Sequence, residues 1–335
     1  MHQYIQRDSG AVVTENLFSD RLVNLVYARG REKAPRLFHQ LTSRRSNDLW
    51  AFIHFDLTFG HPRRAARRII HSLGIDLSEC LAPGALTSPR RVFERQIRYW
   101  RCRPMAADGA QVVSPADARM ILGSRARQSL FFLKEKFFDY DELLGHDKSE
   151  WRQAFADGPF AIFRLTPEKY HYNHFPVSGR VIDFYAIDGA FHSCNPGAVV
   201  QMVQPYSKNR RVVTVIDTGV PGGSGIGLVI MIEIVALMIG EIVQCYSAEH
   251  YANPAPVTPG LFVKRGQPKS LYRPGSSVDV LLFQKNRIRF CEDLKRNLHN
   301  AGVQSRFSQG FGRQLVETDV KVRSTIAYKE TFHAR

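Results

Sequence analysis

The sequence predicts an α+β protein, an N-terminal helical region followed by a β-rich, mostly antiparallel domain. Three observations lead there. Over the first hundred residues the apolar positions keep helical spacing. After about residue 105, short apolar runs alternate with turn residues. Those runs lie too close together to leave room for crossover helices, so antiparallel pairing is expected. The division falls between residues 1–104 and 105–335.

In the first part, Phe18, Leu22, Leu25 and Val26 keep helical spacing, as do Trp50, Ile53 and Leu57. The clearest helix is HPRRAARRIIHSLG, residues 61 to 74. Pro62 suits the first turn, where a missing N–H costs nothing, and Gly74 suits the stop. Ala66, Ile69, Ile70 and Leu73 form one face; Arg63, Arg64, Arg67 and Arg68 form another. In the second part, AQVVSP, PFAIFRL, GRVIDFYAI, RRVVTVIDTG, GLFVKRG and VDVLLF read as strands. The run GIGLVIMIEIVALMIGEIV, 225 to 243, is nearly long enough to span a membrane. Glu233 at its middle and its many β-branched residues favour two consecutive buried strands, or one long bent one. FFDYDELLG is expected to be a short helix, and CEDLKRNLHNAGVQ a helix ending near Gly302. The tail beyond is expected to be polar and mobile.

Composition bounds the function. A chain of 335 residues with 44% hydrophobic and 23% charged residues can bury a sizeable core. Five cysteines without a C-x-x-C pair argue against a disulfide framework and a cysteine zinc site, and fit a reducing cytoplasmic setting. The N-terminus, MHQYIQRDSGAVVTENLF, lacks a signal-peptide core. A net charge of +15 favours an anionic partner. Residues 61 to 104 hold ten arginines, no lysine and three acids. This suits the surface of an acidic bilayer, and marks 1–104 as an Arg-rich, membrane-associating region with Arg63, Arg64, Arg67 and Arg68 as its contacts. No helix-turn-helix, zinc-finger or RNA-binding signature accompanies the charge, so nucleic acid is not the expected partner.

Three stretches carry candidate chemistry: SPADARM with Asp117, KYHYNHFPVSGRV with His171 and His174, and RPGSSVDVLL with Ser276. An Asp in a turn usually caps backbone N–H groups, and a lone histidine is usually a packed residue. H-x-x-H is half a metal site at best, and on an extended strand positions 171 and 174 face opposite sides. No metal is expected. Together, however, Asp, His and Ser are the parts of an activated nucleophile. The glycine run GVPGGSGIG matches neither a nucleophile elbow, a P-loop nor a dinucleotide fingerprint.

The order of motifs resembles the pyruvoyl-dependent phosphatidylserine decarboxylase family. GIDLSE and SPRRVFERQIRYWRCRP are similar to the stretch leading into its Phe-Phe-x-Arg and Arg-Pro elements. SPADAR resembles its Pro-Ala-Asp-Gly motif, and LKEKFFDYDELLG its Lys-Gly…Tyr-Ser-x-x-x-Leu-Leu-Gly stretch. YHYNHFPVSGRV resembles Tyr-His-x-x-His-x-Pro-x-x-Gly. FHSCNPGAV and SKNRRVV resemble its Val-Asn-Pro and Asn-x-Arg elements, and GSS before VDVLLF its processing site. The resemblance implies self-cleavage between Gly275 and Ser276, with Ser276 as nucleophile, Asp117 and His174 as its activating partners, and His171 serving decarboxylation. It implies a covalent pyruvoyl cofactor made from Ser276, whose carbonyls take the substrate amine and accept the electrons left when CO₂ departs. The expected partners are phosphatidylserine on an anionic membrane surface, a second copy of the chain in a homodimer, and the chain's own two pieces, 1–275 and 276–335. The expected setting is cytoplasmic and peripherally membrane-associated.

The chain also departs from the family pattern. Asp117 is followed by Ala118, Lys134 by Glu135, and the Gly-Glu-x-Gly-x-Phe run before the processing site reads GQPKSLYRPG. These departures leave room for a soluble pyruvoyl decarboxylase of a free, for example aromatic, amino acid. An unprocessed basic binding protein is the third reading.

Overall fold

The computed structural model describes residues 1–17, 43, 46, 55–56, 60–124, 137–202, 205–236, 241–275 and 277–330. The helical-spacing positions Phe18, Leu22, Leu25, Val26, Trp50, Ile53 and Leu57, the Lys134–Glu135 departure and Ser276 lie outside the described residues.

The strands are β1 (Gln3–Gln6), β2 (Val12–Thr14), β3 (Gln111–Val113), β4 (Ala118–Ser124), β5 (Pro159–Leu165), β6 (Tyr172–His174), β7 (Gly179–Ile187) and β8 (Arg211–Asp217). They continue with β9 (Leu228–Val235), β10 (Ile242–Gln244), β11 (Phe262–Val263), β12 (Pro268–Tyr272), β13 (Ser277–Phe283), β14 (Ile288–Phe290), β15 (Glu317–Val320) and β16 (Thr325–Lys329). A ten-stranded sheet runs β11-β7-β8-β9-β13-β5-β4-β15-β1-β2; two three-stranded sheets run β10-β12-β6 and β14-β16-β3. Among these ladders only β1–β15 is parallel. The α+β class and the mainly antiparallel pairing are those the sequence predicts.

The middle strands β5, β9 and β13 are buried along nearly their whole length. That burial explains why they read as unbroken apolar runs rather than alternating ones. The 225–243 run resolves into β9 and β10, with residues 237–240 undescribed. Helices occur at Pro62–Ser72, Tyr140–Leu144 and Glu292–Leu298, close to the sequence expectations. Pro62 opens the first of them, and Gly74 beyond its end takes φ 61°, a conformation glycine adopts without steric cost.

Two stretches differ from the sequence reading. Residues 3–14 lie in the region expected to be helical, yet form β1 and β2. Their reason is an edge: β15 would otherwise present open backbone groups, and β1 covers it while burying Tyr4 and Ile5. The tail is not a mobile polar segment either. It contributes a helix (Arg306–Phe311), β15 and β16, and buries Phe307, Phe311, Leu315, Val316, Val322 and Ile326.

A buried charge cluster fixes these late additions. Arg164 on β5 grips Glu317 (2.6 and 2.9 Å) and Glu15 (2.6 and 3.0 Å), and His2 Nε2 meets Glu317 at 2.7 Å. The carboxylates of Glu15 and Glu317, which with His2 could in spacing hold a cation, are thus already engaged by Arg164. Removing one partner of such a cluster strands buried charge, a cost of about 3–5 kcal/mol. Arg164→Met is therefore expected to lower the unfolding free energy by that amount in denaturant titration; a loss under about 1 kcal/mol would contradict the cluster's role.

Candidate active site

The candidate site residues gather where one strand leaves one sheet for another. β12 pairs with β6 and β10, whereas β13 pairs with β5 and β9. The chain must turn between them, and it does so at Arg273, Pro274 and Gly275. Gly275 takes φ 147°, a value L side chains rarely adopt. Next comes undescribed Ser276, then Ser277, the first residue of β13, whose buried Oγ has no hydrogen-bond partner among the described residues.

The β6–β12 ladder decides which histidine lies at this bend. The Tyr272 amide donates to the His171 carbonyl at 3.0 Å, so His171 sits beside the end of β12. His174 pairs with Pro268, seven residues before Gly275. The two imidazoles occupy different surroundings. His171 stacks on Phe93 with centroids 3.7 Å apart; His174 packs edge-on to Tyr99 at 4.7 Å. The Phe93 turn belongs to the bend as well, because Glu94 pairs with Arg273 at 4.0 Å.

His171 is fully buried, and neither ring nitrogen has a hydrogen-bond partner among the described residues. Burial, aided by the nearby Arg95 charge, lowers its pKa well below the ordinary histidine value. The ring is therefore a neutral base whose nitrogens make no well-formed hydrogen bond among the described residues, the Lys169 backbone interacting with it only weakly. His174 is also neutral, its pKa lowered by burial to about 3. Its Nδ1–H donates to the Gly266 carbonyl at 2.9 Å, which leaves Nε2 to accept from Tyr170 Oη at 3.0 Å. Tyr251 Oη in turn donates to Tyr170 Oη at 2.5 Å and accepts the Ile97 amide at 3.3 Å. The backbone of Tyr251 holds a positive φ of 67° to reach this chain.

Asp117 is held elsewhere. Arg103 donates to it at 2.7 and 2.9 Å, the Val322 amide at 2.8 Å, and Arg103 also grips Glu79. Burial opposes ionisation, but the Arg103 guanidinium outweighs it and keeps the carboxyl below its usual range. The structure thus brings Asp117, His171 and His174 into one buried region without hydrogen bonds between them; the Asp117 charge reaches both imidazoles. Phe93, Arg103, Tyr170 and Tyr251 were not singled out from sequence. Phe93, Arg103 and Tyr170 lie inside the quoted motifs, whereas Tyr251 had no signal.

Two buried neutral histidines impose a pH dependence. Unfolding exposes them to protonation near 6.5, while the folded chain refuses the proton down to about 3 at His174. Stability is thus insensitive to them above pH 6.5 and falls on acidification below it, by about 1.4 kcal/mol per pH unit for each histidine. His174→Gln is expected to lose less stability between pH 6.5 and 4 than the parent in thermal or denaturant unfolding. Parallel curves would contradict the assignment.

The phosphatidylserine decarboxylase family model matches residues 90–312. The phosphatidylserine decarboxylase proenzyme of Fusobacterium nucleatum is 26% identical, over 93% of this chain and 97% of its own length. That of Chlamydia muridarum is 29% identical over 92% and 95%. That of Photobacterium profundum is 31% identical over 68% and 80%. The match contains the bend, both histidines and Asp117, and the chain belongs to the phosphatidylserine decarboxylase family, a family of carboxy-lyases.

Proposed function

We propose that the chain is a self-processing, pyruvoyl-dependent decarboxylase that converts phosphatidylserine to phosphatidylethanolamine and CO₂. The observation that carries this reading is the sheet-to-sheet bend at Gly275, set beside a buried, neutral His171 whose ring makes no well-formed hydrogen bond among the described residues. Relatives over nearly the whole chain bear the name phosphatidylserine decarboxylase proenzyme.

In the first reaction, Ser276 Oγ attacks the Gly275 carbonyl, the C–N bond breaks, and the peptide becomes an ester with a free amine at residue 276. Loss of the residue-276 α-proton then expels the Gly275 carboxylate and cuts the chain. Water hydrolyses the resulting enamine, through its imine, to a keto group and ammonia. Glycine at 275 removes the Cβ that would crowd the attack. The surroundings suit a keto group there: among the described residues Ser277 Oγ is buried without a hydrogen-bond partner, and the His171 nitrogens make no well-formed hydrogen bond. Once formed, the pyruvoyl group supplies a ketone for the substrate amine and a conjugated carbonyl that accepts the electrons left by CO₂. His171 delivers the proton to the carbon that lost CO₂.

For the serine proton there are two routes. On the family resemblance His174, with Asp117, receives it; Nε2 must then exchange its bond to Tyr170. The position of His171 at the bend allows a second route in which His171 also takes the serine proton. Intact mass spectrometry separates them. The parent is expected to give chains 1–275 and 276–335, and Ser276→Ala one chain of 38.1 kDa. His171→Ala is expected to cut without decarboxylating, and His174→Ala to cut at least about tenfold more slowly. An uncut parent would overturn self-processing, and an uncut His171→Ala would favour the second route.

We read the enzyme as cytoplasmic and peripherally bound to an anionic membrane. No helix among the described residues is long and apolar enough to cross one. Arg63, Arg64, Arg67 and Arg68 are exposed on the Pro62–Ser72 helix, with Leu77 and Leu81 exposed just beyond. Such a surface suits acidic headgroups. Flotation with phosphatidylserine-containing vesicles at low salt is expected, with loss when the four arginines are changed to Gln; parent protein left at the bottom would contradict it.

A further inference from the structure

The bend is crossed by contacts that the proposed chemistry does not use. Tyr272, three residues before Gly275, folds its ring back over β13. Its Oη lies 2.7 Å from Asp279 Oδ1 and 3.1 Å from the Val278 carbonyl, and accepts the Ile234 amide of β9 at 3.1 Å. Asp279 stands three residues after Ser276. Both side chains are fully buried. The contact therefore joins the last strand before the cut to the first strand after it.

The neighbouring groups hold β12 in the same place. Glu233 on β9 sits directly across from Asp279. It is bonded by Lys269 and Ser270 of β12, by Asn173 of β6 at 3.1 Å and by Gln244 of β10 at 3.0 Å. Lys269 thus neutralises Glu233, not Asp279. The groups facing Asp279 are Glu233 and its Lys269, together with the Tyr272 hydroxyl; its partner on β5 is the uncharged Phe163. Asp279 Oδ2 has no hydrogen-bond partner among the described residues. A bare anionic oxygen buried opposite another carboxylate is untenable, so Asp279 is a neutral acid. Burial and the Glu233 charge both raise its pKa well above the usual range.

We propose that Tyr272 and Asp279 form a clasp across the self-cleavage point: they hold the Gly275–Ser276 peptide in its bend before the cut and keep the two new chain ends together after it. Both are positioning residues. The proposal rests on the self-cleavage reading. It also gives a role to Tyr272, which stands in the run where the chain departs from its family pattern. Because Asp279 acts as a neutral acceptor, Asn replaces it and Ala does not.

The test uses the full chain, made in a short translation pulse and followed by denaturing gel and intact mass. Tyr272→Phe and Asp279→Ala are expected to cut roughly fivefold to tenfold more slowly than the parent, the cost of one buried hydrogen bond. Asp279→Asn is expected to stay within about twofold. A second readout is independent of rate. The folded parent keeps the Asp279 proton at pH values where the unfolded chain, with an ordinary pKa near 3.8, loses it. Parent stability therefore falls as pH rises above that value, and the thermal midpoint of Asp279→Asn relative to the parent should increase from pH 4 to 8. Parent-like cutting by Tyr272→Phe and Asp279→Ala overturns the clasp, as does an Asp279→Asn variant as slow as Asp279→Ala. An uncut parent, seen in its own lane, overturns the self-cleavage reading and the clasp with it.

Discussion

The structure turns on a corner. β12 and β13 are consecutive in sequence, yet each is locked into a different sheet: β12 between β6 and β10, β13 between β5 and β9. The chain must pass from one set of ladders to the other within a few residues, so the backbone bends, and Gly275 at φ 147° absorbs the turn. This also explains how the fold could survive a cut there. Each strand keeps its own hydrogen-bond ladders, and none of them runs through the Gly275–Ser276 bond. The small chain would remain at the centre of the ten-stranded sheet, buried along all of β13.

Around this corner the protein buries several charged groups and pairs most of them. Asp117 is matched by Arg103, Glu233 by Lys269, and Glu15 and Glu317 by Arg164. Each pair costs desolvation that only good geometry returns, so none is a simple gain in stability. What they provide is location. Arg103 joins the Glu79 turn to the Asp117 turn, and Glu233 joins three strands of the smaller sheet to the larger one. Against these engaged groups, His171 and Ser277 stand out as buried polar side chains beside the bend that make no well-formed side-chain hydrogen bond among the described residues. Unspent capacity of this kind is what a reacting group placed between them would use.

Much of this was legible in the sequence because the signals were local. Strands β5, β8, β9 and β13 announced themselves as short apolar runs, and the Pro62–Ser72 helix through its proline, its glycine and its two faces. The motif order carried Asp117, His171, His174 and the Gly275–Ser276 step. The rest depended on long-range pairing. β1 and β2 are short strands stabilised by an edge over 300 residues away in sequence, at β15. Glu233 was read as an argument against a membrane helix, but its partner Lys269 lies 36 residues on and shares no motif with it. Nor could sequence tell that His174 is enclosed by Gly266 and Tyr170 while His171 is left open. That follows from the register of β6 on β12.

The central claim is a decarboxylase whose reactive carbonyl is cut from its own corner and whose substrate is a lipid. It is tested most directly by release of labelled CO₂ from carboxyl-labelled phosphatidylserine in vesicles, run beside free serine and a free aromatic amino acid. The account predicts release from phosphatidylserine, little from either free amino acid, and none with Ser276→Ala. Release from a free amino acid with phosphatidylserine untouched would contradict the substrate, and equal release by Ser276→Ala would contradict the chemistry.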